Sequence, residues 1–391
     1  MEQEITMFNQ NHYVSILKWK RAEQRALRAL EDKNRDVITP LIELVMPTVS
    51  LYKMKEKKKI KKTPEEIFSE VVLKFKEKRT KEIPEEILQS WGIKSVFLDF
   101  SLLYENEAKL TTQLKVDSLN KIIPAGMDKG LKMIPVLNLN DDSKIKEAVC
   151  SLSKKYNQGI CLRIGPSDLS DPLNIEVLNK KIRTFLLNFN LSRKDLDLLI
   201  DIKEIKEKDG QYLQFINASQ QIENLLEWRN FIFASGAFPE TLSECKFDEP
   251  TFLPRLDWQN WLHHIKTKKL TRNPIFADYS IRNPIFKESF QYYNSTTSIK
   301  YTLKNDWLVM KGKIREYDLY LANAKLLVED TDYFYGEEFS WGDKNIAQKA
   351  KHYYQYVKNR SIKGTGRTED WIAWGINHHL ISVINQVANL P

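Results

Sequence analysis

The chain has 391 residues, 42% of them apolar and 29% charged, with a formal net charge of +8. That mixture is the composition of a soluble globular protein with a sizeable core. No apolar run reaches the roughly 18 to 20 residues that span a bilayer, and the polar start MEQEITMFNQ lacks the apolar stretch of a secretory signal, so a cytoplasmic protein without a membrane partner is expected.

In chain order, YVSILKWK (13–20) reads as a strand, AEQRALRALEDK (22–33) as a helix and ITPLIELV (38–45) as a second strand. KMKEKKKIKK (53–62) follows, with seven lysines and one glutamate; it is either a solvated loop or a phosphate contact. Thr63-Pro64-Glu65-Glu66 then has a cap residue, a proline and two acids in the order that starts a helix, here PEEIFSEVVLKFKEK (64–78). Strands are predicted at SVFLDF (95–100), MIPVLNLN (133–140), GICLRIG (159–165), LDLLIDIK (196–203), FIFASGAF (231–238) and PIFADYS (274–280). Helices are predicted at 143–156, 175–189, 219–229 and 257–267.

The strand segments are continuous apolar runs, as parallel strands buried on both faces require, and the helices between them supply the crossovers. Eight such units within some 280 residues predict an α/β fold, a (β/α)8 TIM-like barrel over 1–290. An open doubly wound sheet is the other fold with this alternation, but no glycine-rich phosphate fingerprint follows the first strand. After residue 290 the rhythm changes. TTSIKYTLKNDWLVMKG reads as a hairpin turning at Lys304-Asn305-Asp306, and helices broken by glycine-rich loops follow, so 291–391 is expected to be a C-terminal β-hairpin plus helical extension packed on the barrel.

Every predicted barrel strand ends in polar chemistry: Lys18 and Lys20, Glu43, Asp99, Asn138 and Asn140, Arg163, Asp201 and Lys203, Ser235 with Gly236, and Asp278. The carboxyl ends of barrel strands are where such folds place their sites. A charge in an apolar strand is costly unless paired or liganded, so the ring is either a mutual ion-pair network or a site. As a site, Glu43, Asp99, Asp201 and Asp278 are the candidate catalytic acids, and Asp99 with Asp201 the candidate ligands of Mg²⁺ or Mn²⁺. Lys18, Lys20 and Arg163 would meet phosphate oxygens. Asn138 and the backbone amides around Ser235-Gly236 would complete a phosphate cup.

Other constellations rank lower. Cys150, Cys161 and Cys245 lack CxxC spacing and read as inert thiols. In His263-His264 and His378-His379, neighbours point about 100° apart on a helix, so one of each pair is expected in the core and the other on a polar neighbour. Neither Ser235 nor Ser167 sits in GxSxG. The tyrosine clusters at 292–293, 333–335 and 353–354 would either stack bases or pack a core or interface.

KWKRAEQRAL followed by ITPLIEL, then a late FSWGDKNI and a terminal WIAWGINHHL, resembles the "beta protein" family, named after a protein of T4-type phages. The matching positions are Lys18, Lys20, Glu23, Pro40, Glu43, Gly342, Asp343, Trp371, Asn377, His378 and His379. The resemblance implies a phage-related or phage-defence setting and carries no established reaction. It also marks Asp343 and His378 as residues that would fold over the barrel mouth, with His378 joining the substrate-binding set. The lysine run at 53–62 is not part of the family pattern.

Three functions fit these residues. The first is a metal-dependent phosphodiesterase acting on a nucleotide or nucleic acid. The second is a non-catalytic sensor or adaptor that grips a partner protein encoded in the same operon, and the third is a nucleic-acid binder using the lysine run.

Overall fold

The structure, a computed structural model, describes residues 8–48, 52–55, 58–169, 175–206, 210–247, 249–267, 269–285, 296–314, 316–360 and 364–390, with the side chains of 52–61 outside the description. Eight parallel strands close into a barrel. They are β1 (Tyr13–Lys18), β2 (Ile38–Glu43), β5 (Ser95–Asp99), β6 (Lys132–Asn138), β7 (Ile160–Ile164), β8 (Leu196–Glu204), β9 (Asn230–Gly236) and β11 (Ile275–Asp278). Their order around the barrel is β1-β11-β9-β8-β7-β6-β5-β2. Between β2 and β5 the antiparallel pair β3 (Tyr52–Lys55) and β4 (Lys58–Lys61) stands apart from the barrel sheet.

Alternation along the strands sorts the apolar residues into two shells. Val14, Ile16, Leu41, Phe97, Val136, Cys161, Leu199, Ile232, Ala234 and Ala277 fill the barrel interior. Their neighbours Leu17, Ile42, Leu98, Leu137, Leu162, Ile200, Phe233 and Phe276 pack outward under the helices. This parity decides which strand-end polar residues can meet in the mouth.

The helices are α1 (Arg21–Arg28), α2 (Asp32–Arg35), α3 (Pro64–Lys74), α4 (Thr80–Ser90), α5 (Ala108–Met127), α6 (Ser143–Tyr156), α7 (Pro166–Leu169), α8 (Ile175–Phe189), α9 (Gly210–Ser219), α10 (Leu256–Thr267), α11 (Leu319–Glu329), α12 (Trp341–Lys358) and α13 (Thr368–Ala388). At the start of α3, Thr63 and Glu66 cap each other reciprocally, as their spacing requires. A single wide turn, Phe75–Arg79, joins α3 to α4. The helix predicted over 219–229 lies elsewhere: α9 ends at Ser219, and Asn224 then takes a left-handed conformation, φ 52°. Ile222, Leu225 and Trp228 are buried all the same. Their three-residue spacing serves an irregular turn under the barrel as well as it serves a helix.

The C-terminal hairpin, β12 (Thr296–Thr302) and β13 (Asp306–Ile314), is one strand short of its sheet. β10 (Thr251–Pro254), from the β9-to-α10 connection, pairs antiparallel with β13. The barrel and the C-terminal module are therefore sewn together across residue 290. α13 is buried along most of its length and packs on α1, α12, β1 and β12. Asn377 fixes this seating: its Nδ2 donates to the Ala26 carbonyl of α1 at 3.0 Å, and its Oδ1 accepts from the Gly342 amide of α12 at 3.0 Å. Gly342 allows that approach, since a Cβ there would lie 2.2 Å from the Trp374 carbonyl oxygen. Among the described residues no helix is long and apolar enough to cross a membrane.

Candidate functional site

Parity brings Lys18, Glu43, Asp99, Asn138, Arg163 and Asp201 to the mouth end of the interior, because each stands an even number of residues beyond an inward apolar side chain. Register sets several of them level, with Lys18 opposite Glu43, Glu43 opposite Asp99, and Asn138 opposite Arg163. The guanidinium of Arg163 sits at the centre. It donates from Nε to Asp201 Oδ2 at 2.9 Å, from Nη2 to Asp201 Oδ2 at 2.6 Å and to Glu43 Oε1 at 2.9 Å, and from Nη1 to Asp99 Oδ2. Tyr279, which is not among the residues expected from the sequence, projects inward beside it. Its hydroxyl donates to Asp201 Oδ2 at 2.6 Å and accepts from Arg163 and from Lys203 Nζ, each at 2.9 Å. The signal for Tyr279 is its place two residues beyond inward Ala277, the same even step that brings the carboxylates in.

Three cations, Lys18, Arg163 and Lys203, thus face three carboxylates, Glu43, Asp99 and Asp201. Burial alone would raise the Asp201 pKa, but Lys203 and Arg163 overcome it and hold the carboxyl below its usual range. Burial and the Asp201 carboxylate push Tyr279 well above its ordinary value, so it remains a hydrogen-bond donor. Lys203 reaches this cluster from a left-handed backbone, φ 58°, which for lysine is strained. One oxygen of each acid, Glu43 Oε1, Asp99 Oδ2 and Asp201 Oδ2, is turned to the guanidinium of Arg163. Among the described residues no group of three His, Cys, Asp or Glu side chains is arranged to hold a metal ion.

The structure separates several predicted residues from this cluster. Asp278 points outward from the barrel, toward α13, accepting from Tyr13 Oη at 2.5 Å, from the Ser280 amide at 2.9 Å and from His379 Nε2 at 2.9 Å. Its position one residue past inward Ala277 explains this. Ser235, one past inward Ala234, likewise faces away. The Gly236 carbonyl accepts from the Ile205 amide at 3.0 Å, and a Cβ on this residue would crowd Pro284 and Tyr279 at 3.0 and 3.1 Å. Asn138 stays level with Arg163 at the mouth end, its backbone amide donating to Asp141 Oδ2 at 2.8 Å. His378 is fully buried away from the mouth, with Nδ1 bonded to Asp343 Oδ2 and Nε2 to the Thr302 carbonyl, each at 2.8 Å. His379 is as deeply buried and equally well bonded, so neither member of that pair is a lone core residue. His263 and His264 do divide, exposed and buried.

Beside the mouth lies a cleft of about 330 Å³, formed where the C-terminal sheet meets the barrel. Lys18 and Lys20 enter it from the end of β1, Arg282 from beyond β11 and Lys300 from β12, against two acids, Glu23 and Glu240. Phe238, the last residue of FIFASGAF, and Pro239 make one wall. Arg282 is bonded to Glu23 Oε1 at 3.0 Å, Lys18 Nζ donates to the Asn283 carbonyl at 3.1 Å, and Lys300 Nζ lies 4.3 Å from the centre of the Phe238 ring. Burial, reinforced by Arg282, pushes Lys300 down to about 7. Burial also lowers Lys18 to about 8; Glu43 opposes the shift, while Arg282 and Lys203 add to it. The buried network is neutral; the cleft next to it has excess positive charge that is poorly solvated. The side chains of the lysine run at 53–61 and of Tyr292-Tyr293 lie outside the described residues.

A family model described as Beta protein matches residues 13–385. No curated protein matches the sequence. Among solved structures, one similar chain is a GH138 enzyme targeting pectin rhamnogalacturonan II, at 9% identity and a TM-score of 0.28, over 81% of this chain and 41% of that one. This chain thus spans less than half the length of that enzyme.

Proposed function

Since the chain belongs to the Beta protein family, a resemblance that implies a phage-related or phage-defence setting, we propose that it binds a phosphate-bearing ligand, a nucleotide or nucleic acid, in the cleft beside the barrel mouth. The observation that carries this reading is the convergence of Lys18, Lys20, Arg282 and Lys300 on one recess where, among the described residues, two carboxylates face them. Burial and neighbouring cations lower a lysine's pKa; an anion binds the protonated form of such a lysine more tightly and so raises its lowered pKa again, which ties binding to pH. Asp99 and Asp201 have no hydrolytic role in this account, because Arg163 and Lys203 engage their oxygens. They hold the mouth rigid.

The test is isothermal titration with sulfate and with a mononucleotide. In folded Lys18→Gln/Lys300→Gln, affinity is expected to fall at least tenfold; equal affinity in the variant contradicts the reading. The sign with pH follows from the two lysines. Below about 7 both are charged and binding is strongest; above about 8 both are neutral and binding weakens. Sulfate keeps constant charge across that window, so its titration isolates the protein's groups.

An adaptor role has one observation in its favour. Leu326 of α11 and Tyr354 and Val357 of α12 are exposed on adjoining helices of the C-terminal module, and exposed apolar side chains in a group mark partner surfaces. Co-purification of a stoichiometric protein that is lost in Leu326→Glu/Val357→Glu is the expected sign, and unchanged recovery in that variant removes it.

A further inference from the structure

A second, larger recess of about 700 Å³ adjoins the mouth cleft and shares Lys20, Glu23 and Arg282 with it. It runs between the start of α1 and the α3–α4 arm, where Lys74 and Lys78 line it, and reaches Thr48, whose carbonyl accepts from Lys74 Nζ at 3.4 Å. Thr48 is also the point from which the chain departs into the β3–β4 hairpin, the segment with seven lysines at 53–62. Among the described residues, eight cationic side chains line the two recesses against five carboxylates. Several of those acids are already paired: Glu23 with Arg282, Glu82 and Glu86 with Arg79 at 2.9 Å each, and Glu82 also with Lys78 at 3.5 Å. The cations are spaced along the trough rather than gathered at one spot.

We propose that this continuous trough holds a single-stranded nucleic acid, its terminal phosphate in the mouth cleft and its following phosphates along Lys20, Lys74 and Lys78 toward the hairpin. The proposal rests on the mouth reading for the first phosphate only. Spaced lysines in a recess match a sugar-phosphate backbone, which presents one charge per nucleotide. Pro47 and Ile372, both partly exposed in the larger recess, offer apolar surface against which bases can rest. A B-form duplex, with a major groove alone about 12 Å across, would meet only the rim of recesses this small.

The test is fluorescence anisotropy of the full chain with labelled oligothymidylates, short and long, and with a duplex of matching length, beside calorimetry with a mononucleotide. Longer single strands are expected to bind at least tenfold tighter than the mononucleotide. In Lys74→Gln/Lys78→Gln that advantage shrinks and the salt slope falls by about 1.4, at about 0.7 per lost phosphate contact on a single strand, while mononucleotide affinity is unchanged. A mononucleotide that binds with no gain on lengthening overturns the trough and leaves the mouth reading standing. Long strands that bind while the mononucleotide does not, with Lys18→Gln/Lys300→Gln silent, support the trough and overturn the mouth reading. A duplex that binds as tightly as the single strand overturns the assignment to single strands.

Discussion

The Arg163 network inside the barrel and the lysine cleft beside it use the same residue types, lie one side chain apart and share Lys18, yet they are opposite kinds of charge cluster. In the network each cation has a carboxylate, bonds are short and nothing faces solvent except part of Lys203. In the cleft the cations outnumber the acids, and two lysines have lowered pKa values because nearby carboxylates offset burial only in part. A buried charge with its full complement is costly to break, because the partner left behind is uncompensated; one with less than its complement is a place for a ligand.

Removing the centre of the network is the strongest way to break this contrast. Arg163→Met leaves three carboxylates in the barrel without their common partner, and is expected to cost about 3 to 5 kcal/mol, read as a loss of melting temperature or of soluble protein. If Arg163→Met melts like the native chain, the network is not structural. Next in size is the seam between barrel and C-terminal module. Asp278→Ala leaves Tyr13 and His379 without their acceptor in a buried place, at about 1 to 3 kcal/mol, and hydrogen exchange should rise first in α13. Exchange unchanged there would mean the seam is held by packing alone.

The cleft should behave in the opposite way. Lys18 and Lys300 are protonated in the unfolded chain up to their ordinary pKa but lose that proton in the folded chain at about 8 and about 7. The unfolded state thus binds more protons in the window above about 7, and these two groups make the unliganded protein gain stability as pH rises through it. Lys300→Met should flatten that rise without lowering the melting temperature, and a variant with a native-like rise would show that Lys300 is not its source. Smallest is a surface pair such as Lys325 and Glu329, 2.6 Å apart on one face of α11; Lys325→Ala should change stability by less than about 0.5 kcal/mol.

The closed barrel was legible because its signal is redundant: eight apolar runs each end in a polar residue, and no single one has to be right. The mouth was only half legible. Strand ends name candidates, but a one-residue difference in parity sends Asp278 and Ser235 outward and Tyr279 inward, and the sequence alone does not fix where each strand ends. Pairing is less visible still. That Asp99, Asp201 and Glu43 converge on Arg163 depends on strands up to 120 residues apart, and a carboxylate awaiting a metal has the same letter as one held by arginine. β10 was missed because four residues ending in proline carry too little pattern to read as a strand. Lys300 was missed because its role depends on a hairpin folding back onto the barrel. The family pattern did select Asp343, Asn377, His378 and His379, and in the structure all four seat α12 and α13 against the barrel and sheet.

The most direct test of the whole account is sulfate titration of the native chain, Lys18→Gln/Lys300→Gln and Asp99→Asn, each below pH 7 and above pH 8. The account predicts that the native chain and any folded Asp99→Asn bind below pH 7 and weaken above 8, while the lysine variant binds poorly at both. Loss of binding in a folded Asp99→Asn with the lysine variant unaffected would contradict it, and would return the site to the carboxylates.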